Sequence, residues 1–121
     1  MLAALWDSQP DGTVVCRLCA HRCRLRKGAK GICGVRVNMR GEMVSLVSRV
    51  VTAAAMDPIE KKPLYHFHGG AAILSLGSWG CNFTCPFCQN WQISQQPASS
   101  RDLTPEEVVA LAEKYVPQGN I

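Results

Sequence analysis

No stretch of this 121-residue chain is apolar for long enough to cross a membrane as a helix. Residues 50–56, the longest apolar run after the N-terminus, are interrupted by Thr52 and fall far short of the ~20 residues that a span needs. Residues 1–6 are too short for a signal-peptide core and lack a basic start. These absences exclude a helical membrane anchor here and make the cytoplasm the expected compartment. An even cysteine count is also missing. Seven cysteines without a leader argue against a disulfide framework and for metal ligands in a reducing compartment. Acidic residues are absent between Gly12 and Gly41, a window that holds Arg17, Arg22, Arg24, Arg26, Lys27, Lys30, Arg36 and Arg40. Such a patch needs an anionic partner or a counter-charge for thiolates. At 47% hydrophobic and 18% charged, the chain is too apolar to be a disordered tail.

What is present centres on Cys81, Cys85 and Cys88, spaced C-x3-C-x2-C inside a loop that also holds Pro86 and Phe87. Ordinary iron–sulfur clusters take four Cys thiolates. Three thiolates suit a 4Fe–4S cluster that leaves one iron without a protein ligand, and an open position lets a metal site bind and transform a substrate. The plainer alternatives are half of a zinc site or small buried thiols. Toward the N-terminus, Cys16, Cys19, Cys23 and Cys33 form C-x2-C-x3-C-x9-C, with Gly28 and Gly31 available for tight turns. Zinc or a second iron–sulfur cluster fits four thiolates, and metal-free thiols are the alternative. The arginines around them would offset the negative charge of such a site. His21 is a further donor that could replace one thiol, or else a solvated side chain.

Local patterns place these motifs on elements. Residues 34–48 read as a β-hairpin, with Val35, Val37 and Met39 alternating with polar residues and Arg40-Gly41 at the turn. Residues 57–70, with two prolines and a closing Gly-Gly, read as a connector in which Glu60, Lys61 and Lys62 form a solvated turn and Tyr65 packs. Residues 71–76 fit a buried parallel strand that delivers the cysteine loop from its C-terminal end. Trp79 and Trp91 flank that loop and could shield it from water. Thr104, Pro105 and Glu107 start a helix with a capping box, and Val108, Leu111, Ala112 and Tyr115 make its apolar stripe. Pro117 and Gly119 end it.

The cysteine loop, the phrase Asp57-Pro58-Ile59-Glu60-Lys61-Lys62-Pro63-Leu64-Tyr65-His66-Phe67 and the N-terminal cysteines together resemble one family. It is the radical S-adenosylmethionine (SAM) enzyme of the AmmeMemoRadiSam system, similar to pyruvate formate-lyase activating enzyme and other glycyl-radical activases. Gln89-Asn90 stands where activases often carry His before Asn. The resemblance implies an α/β fold, the start of a partial TIM-type (β/α) barrel preceded by a small Cys-rich β-hairpin module. The expected divisions are residues 1–56, a connector over 57–70, and 71–121 as the start of the radical SAM domain. A complete eight-unit barrel needs about 250 residues, so this sequence reads as an N-terminal fragment, expected to be inactive alone. By resemblance, Cys81, Cys85 and Cys88 hold a 4Fe–4S cluster and Phe87 lies beside the SAM adenine. Reductive cleavage of SAM would give a 5′-deoxyadenosyl radical, with flavodoxin or ferredoxin as electron donor and a protein among the possible substrates. Two rival classes are a non-catalytic iron–sulfur protein and a zinc-knuckle nucleic-acid-binding module. Poverty of aromatics in the basic window argues against the latter, because single-strand binders stack bases on rings.

Overall fold

The computed structural model describes residues 1–121 and separates into two compact units, Met1–Ser48 with Trp79–Ala98, and Arg49–Ser78 with Ser99–Ile121. These divisions differ from those expected at 56 and 70. The cysteine loop falls in the same unit as the N-terminal cysteines.

In the first unit, β1 (Trp6–Ser8), β2 (Val14–Cys16) and β3 (Arg24–Leu25) form an antiparallel sheet in the order β1-β2-β3. Strands β4 (Arg36–Met39) and β5 (Glu42–Ser45) form the expected hairpin, with Met39 opposite Glu42. Its two-residue turn places Arg40 at φ 58° and Gly41 at φ 89°. Positive φ at both positions matches the right-handed twist of the strands they join. The core is Val14, Cys16, Leu25 and Met43, with Ala3, Trp6, Cys23 and Ala29 packed against it. Met43 is fully buried, and removing such a side chain from water stabilises by about 1.5–3 kcal/mol.

Both faces of β4 are covered over its first three residues. Val37 is 7% exposed on one face, while Asn38, opposite Met43, is fully buried and Arg36 is 6% exposed on the other; only Met39, at 52%, is open. Hydrogen bonding accommodates the buried polar side chains. Asn38 Nδ2 donates to the Gly12 and Leu25 carbonyls at 2.9 Å each, and its Oδ1 accepts from the Gly41 amide at 2.8 Å. Burial of a fully bonded amide is tolerated, and here it ties three segments together.

In the second unit, β6 (Val50–Val51), β7 (Ala53–Pro58), β8 (Ala72–Gly77) and β9 (Arg101–Asp102) make two antiparallel ribbons, β6-β9 and β7-β8. This overturns the expected barrel start. The strand read as parallel is β8, and it pairs antiparallel with β7 along its whole length, from Ala53 opposite Gly77 to Pro58 opposite Ala72. Its residues are half-buried, and Leu76 is 37% exposed. The physical reason is that Ala53–Pro58, which carried no strand signal, supplies a complete ladder next to it. A single parallel bridge, Ala72 to Asn120, is isolated. The chain is therefore mostly small antiparallel sheets, with α-helix confined to α1 (Trp91–Ser94) in the first unit and α2 (Pro105–Lys114) in the second. No helix is long and apolar enough to cross a membrane.

Helix α2 starts as expected. Glu107 N donates to Thr104 Oγ1 at 3.1 Å, Thr104 N donates to Glu107 Oε2 at 2.7 Å, and Pro105 follows the cap. Val108, Leu111, Ala112 and Tyr115 are its half-buried stripe. The Glu60-Lys61-Lys62 turn is more structured than a solvated one. Lys61 and Lys62 reach Asp57 at 2.7 and 3.1 Å, and Glu60 Oε1 accepts from Gly70 N at 2.7 Å. Tyr65, expected to pack, is 64% exposed.

Candidate metal centre

The cysteine loop is anchored by a glycine that no other residue can replace without strain. Gly80 has φ +92°, and a Cβ there would lie 2.3 Å from Val35 Cγ1 and 2.9 Å from the Cys33 carbonyl oxygen. The loop backbone thus rests directly on the Cys33–Val35 turn of the N-terminal module. Gly80 N donates to Ile93 O at 2.9 Å, which ties the start of the loop to α1. Between these anchors the chain has no regular element, and all three loop thiols are free and half-buried.

Local hydrogen bonds orient two of them. The Phe83 amide donates to Cys81 Sγ at 3.4 Å. Cys88 N donates to Cys85 O at 3.2 Å, closing a turn around Pro86 and Phe87, and Cys88 Sγ lies 3.3 Å from Ser94 Oγ. Pro86 pre-sets φ for the first central position of such a turn. Phe87 stands 84% exposed at the tip, and Trp91 is 49% exposed.

The N-terminal thiols sit on a more rigid base. Cys16 ends β2 and is 5% exposed, while Cys19, Cys23 and Cys33 are half-buried. Cys16 N donates to Cys23 O at 2.9 Å, and Arg22 N to Cys19 O at 3.3 Å. Arg22, just before Cys23, takes φ 45°, a left-handed value uncommon for a non-glycine residue. Gly31 N donates to Arg36 O at 2.8 Å and Gly34 N to Gly31 O at 2.9 Å, so Cys33 rides on a closed loop.

His21 is exposed and makes a specific contact with the cysteine loop. Its Nε2–H donates to the Asn82 carbonyl at 2.8 Å, and its ring meets Phe83 edge-on with centroids 6.4 Å apart. It is a tether from the N-terminal module to the cysteine loop, 61 residues away in sequence. Spacing gave no hint of that role.

Two cavities open around these residues. One of about 430 Å³ is lined by Cys16, Cys19, Cys23, Cys33 and Cys81, with His21 and Arg36. A second, of about 310 Å³, is lined by Cys33, Cys81, Phe83, Thr84 and Ser94 among others. Cys33 and Cys81 border both, whereas Cys85 and Cys88 line neither. The structure thus brings Cys81 to the four N-terminal cysteines, a grouping that the sequence spacing did not show. No three Cys, His, Asp or Glu side chains converge on a single ion as they stand. The donor chemistry of the loop still fits an iron–sulfur cluster. It offers three soft thiolates, an amide N–H already directed at one sulfur, and no fourth cysteine of its own.

Comparison with known proteins adds one relative. The chain is 40% identical over 116 residues to the uncharacterized protein MJ0808 of Methanocaldococcus jannaschii, a match that covers 93% of this chain and 35% of that protein. The chain therefore spans about a third of the length of the relative it matches. No protein-family profile matches the chain, and no solved structure does.

Proposed function

We propose that Cys81, Cys85 and Cys88 hold a 4Fe–4S cluster with one iron left open for SAM, in a radical SAM enzyme of the glycyl-radical-activase type. The observation that carries this reading is the C-x3-C-x2-C loop itself, three free and partly accessible thiols with no fourth ligand among them. When bound, the cluster supplies the electron that cleaves SAM reductively to a 5′-deoxyadenosyl radical.

The chain's own residues supply the setting. Gly80 and the His21–Asn82 hydrogen bond fix the loop against the N-terminal module. The Phe83 amide donates to Cys81 Sγ and orients it within the loop. Phe87, exposed at the tip, is free to lie along the flat face of an adenine. Flavodoxin or ferredoxin would supply the electron.

Electron paramagnetic resonance on the anaerobically reconstituted, dithionite-reduced protein tests the reading. The expected result is about four irons and four sulfides per chain, a cubane signal that SAM perturbs, and loss of that signal in Cys85→Ala. Zinc in place of iron, or a cluster that survives loss of Cys85, overturns the assignment. Measured on a chain as long as the relative, a cluster indifferent to SAM would replace the enzyme by an electron-transfer protein.

A further inference from the structure

We propose that Cys16, Cys19, Cys23 and Cys33 form a four-thiolate zinc site, separate from the cysteine loop, whose excess negative charge is held by the buried guanidinium of Arg36. The four thiols and Arg36 line one cavity of about 430 Å³. Arg36 is 6% exposed, and its Nη2 donates to the Ala4 carbonyl. Its Nε–H, however, is buried without any partner. An unpaired buried donor on a cation costs several kcal/mol unless an anion meets it. No carboxylate lines the cavity. The only groups there able to become anionic are the thiols.

Charge and chemistry choose the occupant. One divalent ion with four thiolates carries a net charge of −2, which a guanidinium and the surrounding basic window offset. Four sulfur donors in tetrahedral array select zinc among common divalent ions. Two of the sulfurs already flank one point, since Cys23 Sγ and Cys33 Sγ lie 3.7 and 3.8 Å from the position of a Cβ built on Gly31. Cys16 is fixed on β2 within the hydrophobic core, a rigid base for the other three. Cysteine χ1 wells lie about 120° apart, so Cys19, Cys23 and Cys33, which all border the cavity, have other staggered positions through which to close on an ion. Cys81 is not required as a ligand, because Cys16, Cys19, Cys23 and Cys33 already supply the four sulfurs of a tetrahedral site. Arg36 then acts as a positioning residue, an outer partner of the kind whose loss costs 10–100-fold in metal affinity.

The test removes the cysteine loop from consideration. In Cys81→Ser/Cys85→Ser/Cys88→Ser, metal analysis after zinc loading should find about one zinc per chain, and cobalt substitution should give a thiolate-to-metal charge-transfer band. Four thiols should resist alkylation until a chelator is added, a readout that reports on the native chain as well. Adding Cys19→Ser/Cys33→Ser should abolish both signals. Arg36→Met should weaken zinc binding about 10–100-fold, with partial recovery in Arg36→Lys. The proposal fails if the triple variant binds less than about a tenth of an equivalent of zinc, or binds only iron with sulfide. It fails equally if Arg36→Met leaves the affinity unchanged. None of these outcomes depends on whether the loop carries a SAM-binding cluster.

Discussion

Gly80→Ala should be among the most damaging single-methyl additions available to this chain. Two costs add. A left-handed backbone at φ +92° penalises a residue with a Cβ by about 1–2 kcal/mol. The new methyl would also stand 2.3 Å from Val35 Cγ1 and 2.9 Å from the Cys33 carbonyl oxygen, and overpacking of this kind costs roughly 1–3 kcal/mol. The expected loss is about 2–5 kcal/mol, a large share of the 5–15 kcal/mol that typically stabilises a domain. At about 3–6 °C per kcal/mol for a chain of this size, the melting temperature should fall by roughly 6–30 °C. Gly12→Ala is the control. Gly12 also has positive φ, +75°, but nothing lies within 4 Å of its Cβ position, so it should show the backbone cost alone. Val35→Ala in the Gly80→Ala background removes the closest clash and should recover about 1 kcal/mol or more as coupling energy in a double-mutant cycle. Thermal melts followed by circular dichroism would read the wild type, the three single variants, Val35→Ala among them, and the double variant. If Gly80→Ala matches Gly12→Ala, or if the cycle shows no coupling, the loop does not rest on the Cys33–Val35 turn.

Two further perturbations test the second unit. Thr104→Ala removes the hydroxyl that accepts from Glu107 N and should cost about 1 kcal/mol; an unchanged denaturant midpoint would show that the box contributes nothing. The Lys61 ammonium, with Lys62 beside it, holds the Asp57 carboxyl well below its ordinary value of 3.8. A depressed carboxyl stabilises fully above the unfolded value and loses that contribution as pH falls through the folded one. The difference in melting temperature between wild type and Asp57→Asn should therefore hold steady above about pH 5 and shrink below pH 3.8. A gap that stays constant down to about pH 2 would show that the ion pairs stabilise nothing.

What could be read from the sequence was local, and what could not was a matter of partners. The start of α2 was legible because a cap needs only Thr104, Pro105 and Glu107, all within one turn. The hairpin turn at Arg40-Gly41 was legible for the same reason. Ala53–Pro58 was not, because alanine carries little strand preference and becomes a strand only when a neighbour such as β8 offers a ladder. That one unseen partner turned an expected parallel strand into an antiparallel ribbon and removed the barrel start with it. In β4 the alternation of Val35, Val37 and Met39 with polar residues was visible, but the burial of Arg36 and Asn38 on the other face was not. Asn38 and Arg36 face inward because of carbonyls at Gly12, Leu25 and Ala4 that lie far away in sequence.

The cysteines follow the same logic. Spacing sorts them into Cys16, Cys19, Cys23 and Cys33 against Cys81, Cys85 and Cys88, whereas the cavity walls place Cys81 with the first four and share Cys33 and Cys81 between two openings. Neighbourhood alone therefore cannot assign ligands to metals. Chemistry has to, and two features separate the groups. The Phe83 amide orients Cys81 within its own loop, and Arg36, whose buried Nε–H has no partner, lines the cavity that holds all four N-terminal thiols. Two sites of opposite design follow from that division. On the two proposals made above, the N-terminal site would be saturated by four thiolates and closed, suited to holding a fold, while the loop would offer three and leave a coordination position open for reaction.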